Sequence, residues 1–430
     1  MKCHYACHSP EHSIARRQFL GNVAGSAASL GVFSGLSSLI RPAAAAQLAS
    51  QQKRVVSIFL SGGSSQLESW DPKPKTETGG PFRAIPTSVP GIHVSELLPK
   101  TAKQMHRLSL IRSINTNEND HGLGRYMMET GHKQSPSGDY PHLGAVAAKV
   151  LTDEKSPLPG HIHVSSGAGN RRNDSAYLGP KYGSIVVGAK GGLRNSELPN
   201  GMTASVDQNR QAWRRSANER FLQRRRTAET DAYTQSYEQA IQLMERREIF
   251  DVTKEADSFN DKYGRHDLGQ QCLLARRLLE NDITFVQVSH SNYDTHNENF
   301  NFHLEQLGEF DQAFSALIDD LAERGMLETT LVIVMSEFGR TPHINQYYGR
   351  DHWGKAWSIA MAGCGIQAGA VIGATNNNGT EVIDREVDHR HLFHTYLQAV
   401  GVDSASEFNI GGRPIPMADP SAGAISELLA

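Results

Sequence analysis

Two apolar runs that each break abruptly into side chains able to hold a metal constrain this chain more than anything else in it. Leu331–Met335, LVIVM, is continuous and β-branched, the pattern of a strand buried on both faces of a parallel sheet. Ser336, Glu337 and Arg340 follow at once, and a turn-rich stretch then leads to Asp351 and His352. The second run, Asn281–Ser289, NDITFVQVS, breaks into His290, Asn292, Asp294, His296 and Asn297. In open α/β sheets ligands sit in the crevice at the carboxyl ends of strands, so the two bursts are expected to face one another at one rim. Imidazole nitrogen and carboxylate oxygen suit zinc, manganese or iron, and Asp294 and His296, two apart on an extended segment, point to one side. A surface ion-pair cluster accounts for the same residue types, and the residues alone leave both readings open.

The remaining chain supplies the layers such a rim needs. Val55–Leu60, VVSIFL, reads as the first strand and opens into Ser61-Gly62-Gly63-Ser64-Ser65. The glycine pair would let backbone approach a ligand, and the hydroxyls could contact phosphate or act as a nucleophile, unless they only cap a β-to-α turn. Leu108–Ile114 reads as a strand carrying Ser113 near its end and followed by Thr116, Asn119, Asp120 and His121. Helices are expected over Leu97–Met105, Leu123–Thr130, Leu143–Leu151, Leu268–Glu280, Phe302–Arg324 and His391–Val400, with further strands at His161–Val164 and Trp357–Met361. Alternating strand and helix predicts an α/β fold, a doubly wound, mainly parallel sheet with helices on both faces.

Between about residues 205 and 260 the chain is rich in Arg, Glu and Gln, with Trp213, Phe221, Tyr237, Ile241 and Met244 at helical spacing. Helices at the sheet edge or forming a cap are expected there, and Arg214-Arg215 and Arg224-Arg225-Arg226 read as solvated helix faces or as anion contacts. Tyr177 and Tyr182 are either packed side chains or a platform for substrate.

Residues 1–46 read as an address rather than as fold. Arg16-Arg17-Gln18-Phe19-Leu20 is a twin-arginine pair ahead of a mildly apolar segment, and Ala44-Ala45-Ala46 offers small residues for cleavage. Export through that route, to the periplasm or beyond, is expected. The alternative of a retained N-terminal anchor fits poorly with Gly21, Gly25, Gly31 and Gly35. That leaves residues 47–430 as a single α/β domain with no permanent membrane span. A formal charge of −3 gives no reason to expect nucleic acid as a partner, and with Cys3 and Cys7 in the leader only Cys272 and Cys364 remain, too few for a disulfide framework.

The order of LLARRLLENDITFVQV, NYDTH, a long helix, SEFGRTP, GRDHW, an apolar strand and DHRHLFHTYLQAVGVD resembles the exported proteins classed as domain of unknown function 1501, of the alkaline phosphatase/sulfatase superfamily. The resemblance runs from about Val55 to Val402. It implies one or two divalent metal ions, zinc, manganese or similar, that hold a small-molecule or polysaccharide anionic ester of phosphate or sulfate. On this resemblance Asp294, His296 and His352 are ligands of the first ion, and Glu337 belongs to the second. Phe338 stands where a further His is expected, and Ser61-Gly62-Gly63 stands where the first strand normally offers an Asp, leaving Glu68 or Asp71 as distant substitutes. Thr116 and Ser64 are candidate nucleophiles beside Ser113 and Ser65, while Arg340 and His121 are expected to steady charge on the ester oxygens and Asp351 to orient His352. A non-catalytic superfamily member that binds an anionic polysaccharide or a partner protein is the competing expectation.

Overall fold

In the computed structural model the described residues are 51–430 apart from 137, 154–155, 157, 166–172, 190–192, 194–196 and 225–227. The expected leader of residues 1–46 and Arg225-Arg226 lie outside them. Eight strands form the central sheet: β1 (Arg54–Leu60), β2 (Leu108–Ile114), β3 (His161–Val164), β4 (Ile185–Val187), β5 (Phe285–His290), β6 (Thr330–Met335), β7 (Trp357–Gly363) and β8 (Val371–Ile372). Their spatial order is β8-β2-β7-β6-β1-β5-β3-β4. All run parallel except β7, which is antiparallel to both β2 and β6. The doubly wound α/β class is therefore observed, with one inverted strand that the apolar run Trp357–Met361 gives no means of orienting.

Strand alternation sends successive residues to opposite faces, and each face finds its own helices. Val56, Ile58 and Leu60 of β1 share a core with Leu274 and Leu278 of the helix Asp267–Glu280 and Phe310 and Phe314 of the helix Asn299–Glu323. Val55 and Phe59 join Val146 and Val150 of Leu143–Leu151 and Leu392 and Tyr396 of His389–Ala399. The three innermost neighbours β6, β1 and β5 are parallel, so their carboxyl ends open side by side on one rim. That adjacency is what the site is built from.

The Arg-rich segment forms two helices, Ala204–Arg224 and Ala228–Glu245, the second meeting the turn Pro180–Tyr182 beside edge strand β4 through Gln239 Nε2, which donates to the Lys181 carbonyl at 2.9 Å. Trp213 is 75% exposed, and Phe221 and Tyr237 are also exposed, so the apolar spacing read there does not mark a buried stripe. Arg214 and Arg215 both pair with Glu238, which leaves them as a solvated face rather than an anion site. Tyr177 packs on Tyr140 and Phe408, and Tyr182 takes a hydrogen bond from Lys149. Among the described residues no helix is long and apolar enough to cross a membrane, and Cys272 and Cys364 are free thiols.

Two buried imidazoles make stability depend on pH. His303 Nδ1–H donates to the Asn299 carbonyl at 2.9 Å and its Nε2 accepts from the Ser65 N–H at 3.1 Å, a pairing that fixes the neutral ring. Burial lowers its pKa to about 4, and burial does the same for His389. Because the folded values lie below the unfolded value of 6.5, the unfolded chain binds more protons between the two. Stability is thus full above about pH 6.5 and falls as pH drops toward 4. The loss should reach a few kcal/mol, since each tenfold weakening of proton affinity on folding is worth ~1.4 kcal/mol. Denaturant midpoints followed across that range check this, and a flat profile contradicts it.

Candidate metal centre

Each group at the rim is delivered by a strand end or by the segment that follows it. β1 ends in Ser61-Gly62-Gly63, β6 in Ser336-Glu337, and β5 in the loop carrying Asp294 and His296. Gly62 has φ +118°, and a Cβ built on it would lie 2.4 Å from the Asp294 amide nitrogen, so only glycine lets the two loops touch. A two-stranded hairpin, Gly339–Arg340 with His352–Trp353, sets Arg340 directly opposite His352. From β2 the chain enters the helix His121–Thr130, capped by Asp120, whose carboxylate accepts from the Leu123 N–H. This sets His121 on the first turn, at the rim.

His121, Asp294 and His352 each offer a ligand atom, and all three atoms lie within 4.8 Å of one another. His352 Nε2 is 3.1 Å from Asp294 Oδ1, and His121 Nε2 is 3.4 Å from Asp294 Oδ2. His296 Nε2 stands 3.1 Å from Asp294 Oδ1 and 3.0 Å from His352 Nε2. In all three rings the other nitrogen is tied down: His121 Nδ1 to Glu337 at 2.8 Å, His296 Nδ1 to Asp351 at 2.7 Å, and His352 Nδ1 to the Asn119 carbonyl at 2.7 Å. With Nδ1–H donated outward, each Nε2 presents a lone pair inward, the tautomer a metal-binding imidazole needs. Two such lone pairs at 3.0 Å repel unless a proton or a cation lies between them, and in this respect the donor set fits a divalent ion.

The surrounding charges act on these groups in different directions. Burial would raise the Asp294 carboxyl, but the Arg340 guanidinium, 2.5 Å away, with His352 and His121, brings it down to about 2. Burial lowers the His352 pKa, favouring the neutral ring, while the hydrogen bond to Glu337 raises that of His121. Glu337 is itself engaged, accepting from the Gly62 N–H at 2.8 Å as well as from His121, with Ser336 Oγ, which donates to the Leu60 carbonyl, 3.0 Å from its other oxygen. Replacing Glu337 with glutamine should therefore act through His121, weakening divalent-ion affinity roughly 10–100-fold, as loss of an outer partner does. Zinc titration of Glu337→Gln against the parent protein checks it.

A cavity of about 560 Å³ opens over this group, lined by Ser61, His121, Arg125, Asn292, Asp294 and Glu337 among others. The geometry redistributes several expected parts. Asp294, His296, Glu337, His352, Asp351, His121 and Arg340 do meet, but His121 stands among the ligand atoms and Asp351 orients His296, not His352. Arg340 is fully buried and off the cavity lining, its guanidinium donating to the carbonyls of Gly62, Gly63 and Arg350 and to Asp294, so it braces Asp294 rather than meeting substrate. Thr116 faces the Gly354 carbonyl at 3.4 Å, and Ser113 donates to the Arg385 carbonyl. Ser64 has a hydroxyl buried without a partner, Ser65 lies against the Glu68 carboxylate, and none of these four residues lines the cavity. Glu68 is held by Arg350, and Asp71 by Lys73 and Thr375, so neither substitutes for a missing ligand. Phe338 lies against His121 and His352, ring centroids 4.9 and 4.5 Å away, an apolar floor where a second ion's His was expected. Among the described residues, then, one group of ligands is present.

The family model described as Protein of unknown function (DUF1501) matches residues 52–429. No curated protein matches the sequence. Among solved structures, the lipoteichoic acid synthase LtaP from Listeria monocytogenes is similar at 8% identity and TM-score 0.40, covering 86% of this chain and 75% of that one. The PsFucS1 sulfatase from Pseudoalteromonas sp. is similar at 14% identity and TM-score 0.40, covering 84% and 72%. A protein in the alkaline phosphatase superfamily from Vibrio parahaemolyticus is similar at 12% identity and TM-score 0.37, covering 91% and 76%. These are distant likenesses, and what the chain does has to be argued from its site.

Proposed function

The chain belongs to the DUF1501 family, and from that premise we propose that it is an exported hydrolase of phosphate or sulfate esters that works with one divalent metal ion. The observation that carries this reading is the convergence of His121, Asp294 and His352, the first two of which line the cavity, with each imidazole fixed through its far nitrogen. A divalent ion bound there supplies Lewis acidity toward an ester oxygen and lowers the pKa of water. The chain's own residues do the rest. Arg340 keeps Asp294 ionised, Glu337 and Asn119 aim the two rings, and Phe338 shields them from beneath. His296 stands beside Asp294 and His352, half exposed, and its Nε2 would be a further donor to the ion. The twin-arginine leader supports export to the periplasm or beyond, and the ester is a small molecule or a polysaccharide.

Phe338 in place of a second ion's ligand, with Thr116 and Ser64 off the cavity, favours a second reading, a non-catalytic binder of an anionic polysaccharide. Turnover separates the two. Purified mature protein with zinc or manganese should hydrolyse at least one of an aryl phosphate, a phosphodiester and an aryl sulfate, with the activity lost in His352→Ala. A stoichiometric ion with no turnover on any of them supports the binder.

A further inference from the structure

We propose that Arg125 is the residue that grips the ligand in this cavity, through a tetrahedral oxyanion, the phosphate or sulfate group itself. The proposal rests on the reading of the neighbouring centre as an ester site but stands on separate atoms. Arg125 occupies the second turn of the helix His121–Thr130 and lines the same cavity as Asp294 and Glu337. Of its nitrogens only Nε has a protein acceptor among the described residues, Glu129 Oε1 at 2.9 Å, while Nη2 is buried with none. A charged donor withdrawn from water without an acceptor is costly, and native proteins seldom leave one so.

Its neighbours hold the guanidinium in place and do not consume it. The guanidinium carbon sits 4.4 Å from the centre of the Phe59 ring, and Glu129 is fixed in turn by Gln287 Nε2 at 2.8 Å. The long arginine side chain is thereby immobilised before any ligand arrives, which lowers the entropy cost of binding. Arg340 and Arg350, the other guanidiniums buried at this end of the sheet, are spent on carbonyls and carboxylates. Asp294 and Glu337 are likewise engaged, by Arg340 and His121. Among the described residues that line this cavity, Arg125 is therefore the guanidinium with donors left to give, and a planar fork of N–H groups matches two oxygens of a phosphate or sulfate.

The test is calorimetric titration of the full mature protein, zinc-loaded and separately chelator-stripped, with orthophosphate, sulfate and acetate. Wild type should bind phosphate or sulfate in preference to acetate. Arg125→Ala should weaken that binding about 10–100-fold, the scale of a lost charge-assisted hydrogen bond. Arg125→Lys, which keeps the charge and the packing on Phe59 but loses the fork, should fall between them and guards against a folding defect in the alanine variant. Zinc stoichiometry should be the same in all three proteins. Oxyanion binding equally tight in both variants and wild type, or a wild type that binds neither phosphate nor sulfate, overturns the proposal. If zinc fails to bind but phosphate binds in an Arg125-dependent way, the hydrolase reading falls and this one stands. If zinc binds and phosphate binding ignores Arg125, the reverse holds.

Discussion

Replacing Asp294 with alanine should abolish stoichiometric divalent-ion binding and, with it, any ester turnover. Its Oδ1 lies within 3.1 Å of both His296 Nε2 and His352 Nε2, and its Oδ2 lies 3.4 Å from His121 Nε2. Without that carboxylate no negative charge offsets a dication among the inward-facing imidazoles, and Arg340 is left pointing its own charge into the gap. The loss should therefore exceed the roughly 10–100-fold expected for an outer partner such as Glu337. Asp294 is 48% exposed but pairs with the fully buried Arg340, so its removal also lowers the melting temperature. Far-ultraviolet circular dichroism should show the fold retained, while elemental analysis reports the missing ion. Retention of a full equivalent of metal in Asp294→Ala would remove this residue from the centre.

The second large effect is on folding. Arg350 and Glu68 are both fully buried, and their two-pronged pair, at 2.8 and 3.1 Å, is completed by the carbonyls of Thr78, Thr341 and Pro342. Burial alone would raise the Glu68 carboxyl, but Arg350 beside it holds the pKa below the ordinary value. Breaking such a pair by removing one member leaves an unpaired buried charge, at a cost of about 3–5 kcal/mol. Arg350→Ala should lose that much by urea denaturation. Since Arg350 also anchors the hairpin that delivers His352, its metal affinity should fall too. Glu68→Gln, which keeps the shape and two hydrogen-bonding groups, should be less damaging than Glu68→Ala. Equal stabilities for Arg350→Ala and the parent would mean the pair is a passenger.

The sheet was legible because its central strands are apolar enough to be told from their helices by period and length alone. The meeting of Asp294, Glu337 and His352 was legible for the same reason, since whatever follows such a strand in a parallel sheet must arrive at one rim. What escaped is direction and occupancy. The inverted β7 has the same apolar run as a parallel strand. Arg340 reads as a substrate contact until its four acceptors are seen, three of them backbone carbonyls that carry no residue-type signal. Thr116 and Ser64 follow strands as a nucleophile would, but their side chains turn into packed layers. Arg350 gave no sign, because a charge in a turn-rich loop looks solvated until Glu68, remote in sequence, is found against it. Arg125 was invisible for the opposite reason: its interest lies in acceptors it lacks.

Anomalous X-ray diffraction from crystals of the mature protein grown with zinc tests the central claim most directly. One peak at near-full occupancy is expected beside the cavity, about 2 Å from His121 Nε2, His352 Nε2 and an Asp294 oxygen. A zinc ion held by other residues, or none in this cavity, would contradict the metal centre and the hydrolase built on it.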